Sequence, residues 1–357
     1  MPPLLRLMGG KLRMDFRRLA EPAGLLYGTA AEDAVKRGFA LPLAGGPAAF
    51  SCVDLIEDRT HSGFMPVGNV PAGWQDVLAR LVAKPPGAGM PEGPQVMGIL
   101  NITPDSFSDG GLHQEALRAV QAGQAQVSAG ASVLDIGGES TRPGAAVVTP
   151  EQEWERIGPV VQGLKQQVPE AVLSIDTRNS AVMAQALAAG ADVINDVSAL
   201  THDPEALPLL AGKTCGVVLM HMRGTPATMT QHAVYEDVAC DVVRELGARL
   251  TAAIDGGIAP ERLSVDPGLG FAKNTAQGVA LLRRLPLLAN LGCRVVLGVS
   301  RKRMIGELTG VQHAAGRDAG TQAASLEGLP LGQTVLRVHA VEGMVQALRV
   351  WQRVHTV

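Results

Sequence analysis

The stretch Met97 to Gly111 reads Met-Gly-Ile-Leu-Asn-Ile-Thr-Pro-Asp-Ser-Phe-Ser-Asp-Gly-Gly. A short apolar run gives way here to one asparagine, two aspartates and two glycines within a few residues. This change predicts a buried strand that delivers polar groups to its carboxyl end, which is where α/β folds place their chemistry.

The same change from apolar to polar recurs along the chain. Further segments show it, and each is separated from the next by a stretch long enough for a helix: Ser132 to Arg142, Val172 to Thr177, Val193 to Asp196, Val217 to His221, Leu263 to Phe271, Val295 to Lys302 and Val335 to His339. Together with the first stretch, they predict eight strands.

Alternating strand and helix signals predict an α/β protein with a parallel sheet and helical crossovers. Eight such units match the (β/α)8 TIM barrel, whose typical size of about 250 residues fits the span 95–357. An open doubly wound sheet is the alternative. The barrel is favoured because no dinucleotide-binding glycine fingerprint follows the first strand.

Residues 1–94 differ in composition and form an irregular N-terminal extension. The segment 42–47 is rich in Gly, Ala and Pro, and 85–94 is a Pro/Gly linker. Four of the six phenylalanines lie before the barrel, which favours a packing arm or small cap over a free tail. The sequence assigns this extension no function.

The overall composition is that of an ordinary globular protein, with 46% hydrophobic residues, 18% charged residues and a net charge of −3. Nucleic acid is therefore not an expected partner. Neither a membrane-spanning run nor a signal-peptide pattern is present, so we expect a cytoplasmic protein. The four cysteines are widely spaced, which predicts buried thiols in a reducing compartment rather than a zinc site.

Three polar residues follow predicted strands of the barrel: Asp176, Asn195 and Asp266. A carboxylate can accept hydrogen bonds from an amino group and an adjacent ring NH, and an amide can both donate and accept. These side chains therefore suit the edge of a flat heterocycle. Helix capping is the alternative, especially for Asp176 and Asp196.

Basic residues follow the last two strands. Ser300-Arg-Lys-Arg303 comes after the seventh, and alternation along the eighth places Arg337 and His339 on one face. Barrel enzymes often hold phosphate at these two strands, so the cations and a helix start at Lys302 predict a phosphorylated ligand. A surface charge run is the alternative.

Two polar loops follow the first two strands. Asn101 and the glycine-rich segment to Gly111, which includes Asp105 and Phe107, suit a loop that folds over a ligand and excludes water. An asparagine oxygen beside a diphosphate can hold Mg²⁺, which takes few protein oxygens plus substrate phosphates. An ordinary Asx-rich turn is the alternative.

These motifs together resemble the dihydropteroate synthases of folate biosynthesis, from about Gln95 to the end. Asn101 to Gly111 resembles the first loop of that family, and Gly138 to Gly144 the second. The remaining motifs occur in the family's order: Ser174-Ile-Asp-Thr177, Ile194-Asn-Asp196, Asp266-Pro-Gly-Leu-Gly-Phe271, Ser300-Arg-Lys302 and Arg337-Val-His339.

The resemblance implies a transferase that joins p-aminobenzoate to 6-hydroxymethyl-7,8-dihydropterin diphosphate, giving 7,8-dihydropteroate and pyrophosphate. It implies an SN1-like displacement with Mg²⁺ as cofactor, without a covalent enzyme intermediate, and a target for sulfonamides. Two alternatives remain open. One is a pterin-dependent methyltransferase domain, and the other is a non-catalytic paralogue that binds pterin or only partners.

The resemblance also implies roles for single residues. The pterin would be bound by Asp176, Asn195, Asp266, Lys302 and Arg337. The diphosphate would be bound by Asn101, Thr141, Arg337 and His339, with the metal at Asn101. The p-aminobenzoate pocket would comprise Thr141, Arg142, Pro143 and Arg303. The catalytic residues would be Asp105, Phe107 and Lys302.

The chain departs from the family pattern in three places. Ala340 stands where the family usually carries Asp, and we expect this to affect packing rather than catalysis. Arg303 stands where Ser is common; it can bind a carboxylate, and its bulk is expected to alter sulfonamide affinity. The third departure is the long extension.

The sequence also bears on oligomeric state. Apolar surface on Ala323 to Leu329 favours a homodimer.

Overall fold

The computed structural model describes residues 7–8, 11–12, 15–102, 111–139 and 148–356. The extension forms a small antiparallel sheet with two helices. Its elements are β1 (Leu7–Met8), β2 (Lys11–Leu12), β3 (Arg18–Tyr27), α1 (Gly28–Lys36), β4 (Leu41–Pro42), β5 (Ala48–Glu57), β6 (Thr60–Pro66) and α2 (Gln75–Val82). Strand β5 is central, because β3, β4 and β6 all pair with it.

The remainder of the chain forms a closed barrel of eight parallel strands, as predicted. The strands are β7 (Gln95–Asn101), β8 (Val133–Gly137), β9 (Val172–Asp176), β10 (Val193–Asp196), β11 (Gly216–Met220), β12 (Leu263–Asp266), β13 (Arg294–Leu297) and β14 (Val335–Val338). Because β14 pairs with β7, the sheet closes on itself, and the open doubly wound alternative is wrong.

Helices connect the barrel strands. They are α3 (Gly111–Ser128), α4 (Pro150–Gln167), α5 (Ser180–Ala188), α6 (Ala206–Ala211), α7 (Val238–Asp255), α8 (Thr275–Arg283), α9 (Arg303–Thr309), α10 (Asp318–Leu326) and α11 (Val341–His355). Strands covered by helices are buried on both faces, which is why they appear in the sequence as continuous apolar runs. None of these helices, as far as the structure describes them, is long and apolar enough to cross a membrane.

The Pro/Gly linker closes the amino-terminal end of the barrel. Ala88 and Met90 pack in one cluster with Met97 and with valines that begin barrel strands, such as Val133 and Val193. The fully buried Arg294, at the start of β13, holds the linker backbone: its guanidinium donates to the carbonyls of Gly87, Met90 and Gly93 at 3.0, 3.2 and 2.6 Å.

Polar contacts tie the extension to the outer helices of the barrel. Buried Asn290 bonds to both the N–H and the carbonyl of Ala20, at 3.0 and 2.8 Å. Arg284 pairs with Glu21 of β3 at 2.5 Å and with Asp237 of the barrel at 2.7 Å. Burial opposes ionisation of Asp237, but the hydrogen bonds from Arg284 outweigh it and lower its pKa to about 2. The extension thus packs on the barrel through paired charges.

The four cysteines are free thiols. Cys215, Cys240 and Cys293 are buried, and Cys52 is half-buried. Burial raises the pKa of Cys240 and of Cys293 to about 12, so these two carry their protons at neutral pH. The prediction of buried thiols holds for the three barrel cysteines.

Ala340, one of the departures from the family pattern, is the N-cap residue of α11. Its side chain makes no capping hydrogen bond. An aspartate here could accept from the free N–H groups of the first helical turn, which alanine leaves without a side-chain partner.

We therefore expect Ala340→Asp to raise the free energy of unfolding by about 1 kcal/mol, measured by urea denaturation. The control is Ala340→Glu, which adds the same charge near the helix dipole on a longer side chain that is a poorer cap. Equal gains from both variants would contradict the capping account.

Candidate active site

Arg337 of β14 connects three strands at the carboxyl end of the barrel. Its Nε donates to Asp135 Oδ2 of β8 at 2.6 Å, and a terminal nitrogen donates to Asp176 Oδ2 of β9 at 2.7 Å. The Arg337 side chain is 18% exposed and Asp135 is fully buried. Arg337 therefore links strands from different parts of the barrel through two charged hydrogen bonds.

Asp135 also fixes two neutral neighbours. It accepts from Ser174 Oγ at 2.6 Å and from Asn195 Nδ2 at 3.2 Å. The second bond orients the amide of Asn195, so the predicted pterin-binding residues Asn195, Arg337 and Asp176 belong to one hydrogen-bonded cluster. We call Asp135, Asp176, Asn195 and Arg337 the arginine cluster.

Burial and neighbouring charges shift the pKa values of Asp176 and Arg337 in this cluster. Burial raises the pKa of Asp176 to about 7; Arg337 pulls it down and the charge of Asp135 pushes it up. Burial disfavours the Arg337 cation, but the two carboxylates outweigh burial and raise its pKa. Burial and the two neighbouring charges therefore act on Asp176 in opposite directions, and its 2.7 Å bond to Arg337 favours the carboxylate.

Asp266 and Lys302 lie beside the arginine cluster. Burial raises the pKa of Asp266, against the charge of Lys302, and its Oδ1 accepts from the Gly268 N–H at 2.7 Å. Burial lowers the pKa of Lys302 to about 8. Its Nζ donates to the carbonyl of Leu269 and lies 4.7 Å from the centre of the Phe271 ring. A carboxylate and an ammonium thus share one buried region at this rim.

Gly298 shows how closely these charged side chains converge. A Cβ placed on Gly298 would lie 3.3 Å from Asp266 Oδ2, 3.7 Å from Arg337 Cδ and 4.0 Å from Lys302 Nζ. All three side chains therefore meet over one residue, directly after β13.

His339 and Ser300 form the other polar pair at strands β13 and β14. Ser300 Oγ lies 2.9 Å from His339 Nδ1 and accepts from the His339 N–H at 3.1 Å. The remaining basic residues of this region bind carboxylates. Arg301 pairs with Asp318 at 2.7 Å, and Arg303, whose side chain is 90% exposed, pairs with Glu307 at 2.5 Å.

The other predicted residues divide into two groups. Asn101 ends β7 and is exposed, at the same rim as the cluster. The predicted residues of the two loops lie outside the described residues: Asp105, Phe107, Thr141, Arg142 and Pro143. Their roles, and that of Arg303, stay predictions.

The helix-capping alternative is wrong for both aspartates, because the N-cap residues of the following helices α5 and α6 are Asn179 and Glu205. Asp196 accepts from the N–H groups of Ser198 and Leu200, at 2.7 and 3.0 Å, and so closes the turn after β10. Asp176 instead faces Arg337.

Sequence reasoning missed Asp135, His221 and Lys273. Asp135 lies inside the buried run Val133–Gly137, and Lys273, in the segment that follows β12, donates to His221 at 2.9 Å. For Asp135 the only signal was a lone acid inside an apolar strand, where an unpaired charge is rarely buried, and no signal in the sequence pairs His221 with Lys273.

Among the described residues, one group of side chains has the spacing of metal ligands: His61, Asp237 and Cys240, where the extension meets the barrel. Arg284 binds Asp237 at 2.7 Å and lies 3.6 Å from Cys240 Sγ. The guanidinium of Arg284 therefore already neutralises the Asp237 carboxylate, and this group of side chains does not fit a metal ion.

Comparison with known proteins agrees with this geometry. The family model described as "Pterin binding enzyme" matches residues 97–339. Dihydropteroate synthase from Neisseria meningitidis serogroup C is 46% identical over 264 residues, which cover 72% of this chain and 92% of that protein. The enzyme from Escherichia coli K12 is 42% identical over 257 residues, covering 72% and 90%.

Solved structures give the same result. Xanthomonas albilineans dihydropteroate synthase with 4-aminobenzoic acid superposes with a TM-score of 0.69 at 49% identity, covering 74% of this chain and 94% of that chain. The same enzyme in complex with 7,8-dihydropteroate gives 0.67 at 47% identity, with the same coverage.

The crowding at Gly298 can be tested by substitution. We expect Gly298→Ala to lower the free energy of unfolding by about 1 kcal/mol, because the added methyl would lie 3.3 Å from Asp266 Oδ2 and that buried carboxylate would have to shift. The control is Gly68→Ala, where no atom lies within 4 Å of the added Cβ. A cost for Gly298→Ala no larger than for the control would contradict this packing, as measured by urea denaturation.

Proposed function

This chain belongs to the dihydropteroate synthases, transferases that join p-aminobenzoate to 6-hydroxymethyl-7,8-dihydropterin diphosphate and release pyrophosphate, and we propose which of its residues carry that reaction. The observation that carries the assignment is the convergence of Asp266, Lys302 and Arg337 over Gly298. The family match and the identity to dihydropteroate synthases favour this function over a methyltransferase domain and over a non-catalytic paralogue.

The pterin ring is proposed to bind at the rim with its amino edge on carboxylate and amide groups. Asp266 accepts from the ring amino group and the neighbouring NH, while Asn195 and Asp176 bind the remaining polar atoms. Lys302 donates to the ring carbonyl, exchanging its present bond to the Leu269 carbonyl for one to substrate. Arg337 packs against the ring, as guanidinium groups do against flat π systems.

The diphosphate is proposed to lie between β7 and β14, which are paired neighbours in the barrel. Asn101 at the end of β7, His339 after β14, Arg337 and Thr141 are the residues assigned to it. Asn101 is exposed, and an amide oxygen suits Mg²⁺, a hard cation that takes few protein oxygens plus phosphate oxygens. When bound, the ion would neutralise charge on the leaving pyrophosphate.

The reaction is proposed to be an SN1-like displacement. The bond between the methylene carbon and the diphosphate oxygen breaks first, and the electron pair leaves with pyrophosphate. Arg337 and His339 stabilise that charge, and the carboxylates of Asp176 and Asp266 stabilise the cation-like pterin. The amine of p-aminobenzoate then attacks the carbon and loses a proton to solvent.

The remaining roles concern loops and p-aminobenzoate. Asp105 and Phe107 are proposed to close over the methylene carbon and keep water from it. Thr141, Arg142, Pro143 and Arg303 are assigned to p-aminobenzoate. For Arg303 to take the substrate carboxylate it must release Glu307, an exchange that an exposed ion pair allows at little cost.

Purified protein is expected to sustain pyrophosphate release over many turnovers only when p-aminobenzoate is present to capture the cation-like pterin, and to stop when EDTA removes Mg²⁺. Lys302→Met is expected to lower kcat/KM about ten- to hundredfold, the effect of losing a charged hydrogen bond. Lys213→Met, at an exposed turn after α6, is the control. Sustained release that is independent of p-aminobenzoate, or unaffected by Lys302→Met, would contradict the assignment.

We also propose a cytoplasmic homodimer. The free cysteines fit a reducing compartment. Helices α10 and α11 form an outer groove lined by Leu326, Ala347, Val350, Trp351 and Val354, and two of its valines are 65% and 68% exposed. It adjoins the apolar segment Ala323 to Leu329, so a second copy is the proposed occupant.

Val350→Glu is expected to convert the dimer to a monomer in analytical ultracentrifugation, because a charge would be buried in the contact. Val234→Glu, at a valine before α7 that is 75% exposed, is expected to leave the dimer intact. A monomeric wild-type protein at micromolar concentration would refute the proposed state.

A further inference from the structure

We propose that Lys273 is a positioning residue of the pterin pocket: with His221 and Glu245 it clamps the backbone of the loop after β12 and so holds Asp266 and Lys302 in place. The inference rests on the proposed pterin site and adds residues that do not touch the substrate. The loop comprises residues 266–273, and we call it the Asp266 loop.

The backbone of the Asp266 loop is of a kind that needs external support. Gly268, Gly270 and Ala272 have φ values of +63°, +82° and +47°, in the left-handed region. For Ala272 this conformation is costly, since a Cβ crowds the following carbonyl. The loop therefore persists only where surrounding bonds hold it.

Lys273 supplies these bonds. Its Nζ lies 3.0 Å from the carbonyl of Gly268, 3.1 Å from the carbonyl of Phe271 and 2.9 Å from His221 Nδ1. Burial lowers the pKa of Lys273 to about 7, but an ammonium has three donors and no acceptor, so the three partners match the charged form and favour it. Two of these partners are backbone carbonyls of the Asp266 loop, so Lys273 binds the same turn at two points.

His221 and Glu245 hold the ammonium from the other side. The Glu245 carboxylate can only accept, so His221 Nε2, 3.0 Å from Glu245 Oε2, carries the proton, and Nδ1 is left to accept from Lys273. Burial and the nearby Lys273 charge lower the pKa of His221 to about 4, so the ring is neutral at pH 7, as an acceptor must be. Arg223 Nε in turn binds Glu245 at 2.9 Å.

The clamped turn also carries the pterin-binding groups. The N–H of Gly268, whose carbonyl Lys273 holds, donates to Asp266 Oδ1 at 2.7 Å. The next carbonyl, of Leu269, accepts from Lys302 Nζ. The Phe271 ring lies beside the ammonium of Lys302. Lys273 therefore acts on both Asp266 and Lys302 through the backbone.

The test is steady-state kinetics of Lys273→Met, which keeps the side-chain length and removes the ammonium. We expect KM for the pterin diphosphate to rise about ten- to hundredfold, with kcat and KM for p-aminobenzoate within about twofold. A purely structural role would lower the active fraction, and thus kcat, and leave KM unchanged. Lys213→Met is the matched control. An unchanged KM for the pterin diphosphate would overturn the proposal.

A second pair of variants decides the matter if Lys273→Met does not fold. His221→Leu removes the acceptor of Lys273, whereas His221→Asn keeps an acceptor oxygen near the position of Nδ1. We expect the leucine variant to raise KM for the pterin diphosphate about tenfold or more and the asparagine variant by less than about threefold. Equal KM values for the two would overturn the clamp.

The two proposals fail in different ways. Wild-type protein that releases no pyrophosphate in the presence of p-aminobenzoate would refute the proposed function. In that case, titration with 6-hydroxymethylpterin still tests the clamp, because Lys273→Met must weaken binding relative to wild type and Lys213→Met. Equal affinities for all three proteins would overturn it.

Discussion

Arg337 lies between Asp135 and Asp176, and the geometry of the rim depends on these two ion pairs. They connect β14 with β8 and β9. A buried ion pair contributes little to stability, because the cost of removing charges from water offsets the attraction between them. Removing one member of the pair, in contrast, is strongly destabilising, since it leaves an uncompensated buried charge. The cluster is therefore best understood as a device that fixes positions at the rim.

The two ends of the barrel differ in chemistry. At the amino end, the linker that ends the extension packs apolar residues against the first residues of the strands, and Arg294 binds only backbone carbonyls there. At the carboxyl end, carboxylates, lysines and a histidine meet in a region of low exposure. This division, with stability at one end and chemistry at the other, is general for TIM barrels. In this chain the linker packs at the amino end, whereas Arg59 of the extension pairs with Glu236 and Asp241 at the start of α7.

The barrel could be predicted because strands covered on both sides need continuous apolar runs, and the polar residues after those runs had to meet at one rim. The same logic placed Asp176, Asn195, Asp266, Lys302 and Arg337 together. It could not find Asp135, which is a single acid inside an apolar run, nor the partner of Lys273, since His221 is distant in sequence. The sheet of the extension was missed because β3 contains Glu21 and Pro22, which obscure the strand pattern.

The central claim is that the rim around Arg337 binds the pterin and that the Asp266 loop presents its main acceptor. The most direct measurement is a crystal structure of this chain with 7,8-dihydropteroate. The account predicts the pterin amino group and neighbouring NH on Asp266, Lys302 Nζ moved from the Leu269 carbonyl to the ring, and Lys273 still bound to Gly268, Phe271 and His221. A pterin bound away from Asp266, or an Asp266 loop released from Lys273 in the complex, would contradict it.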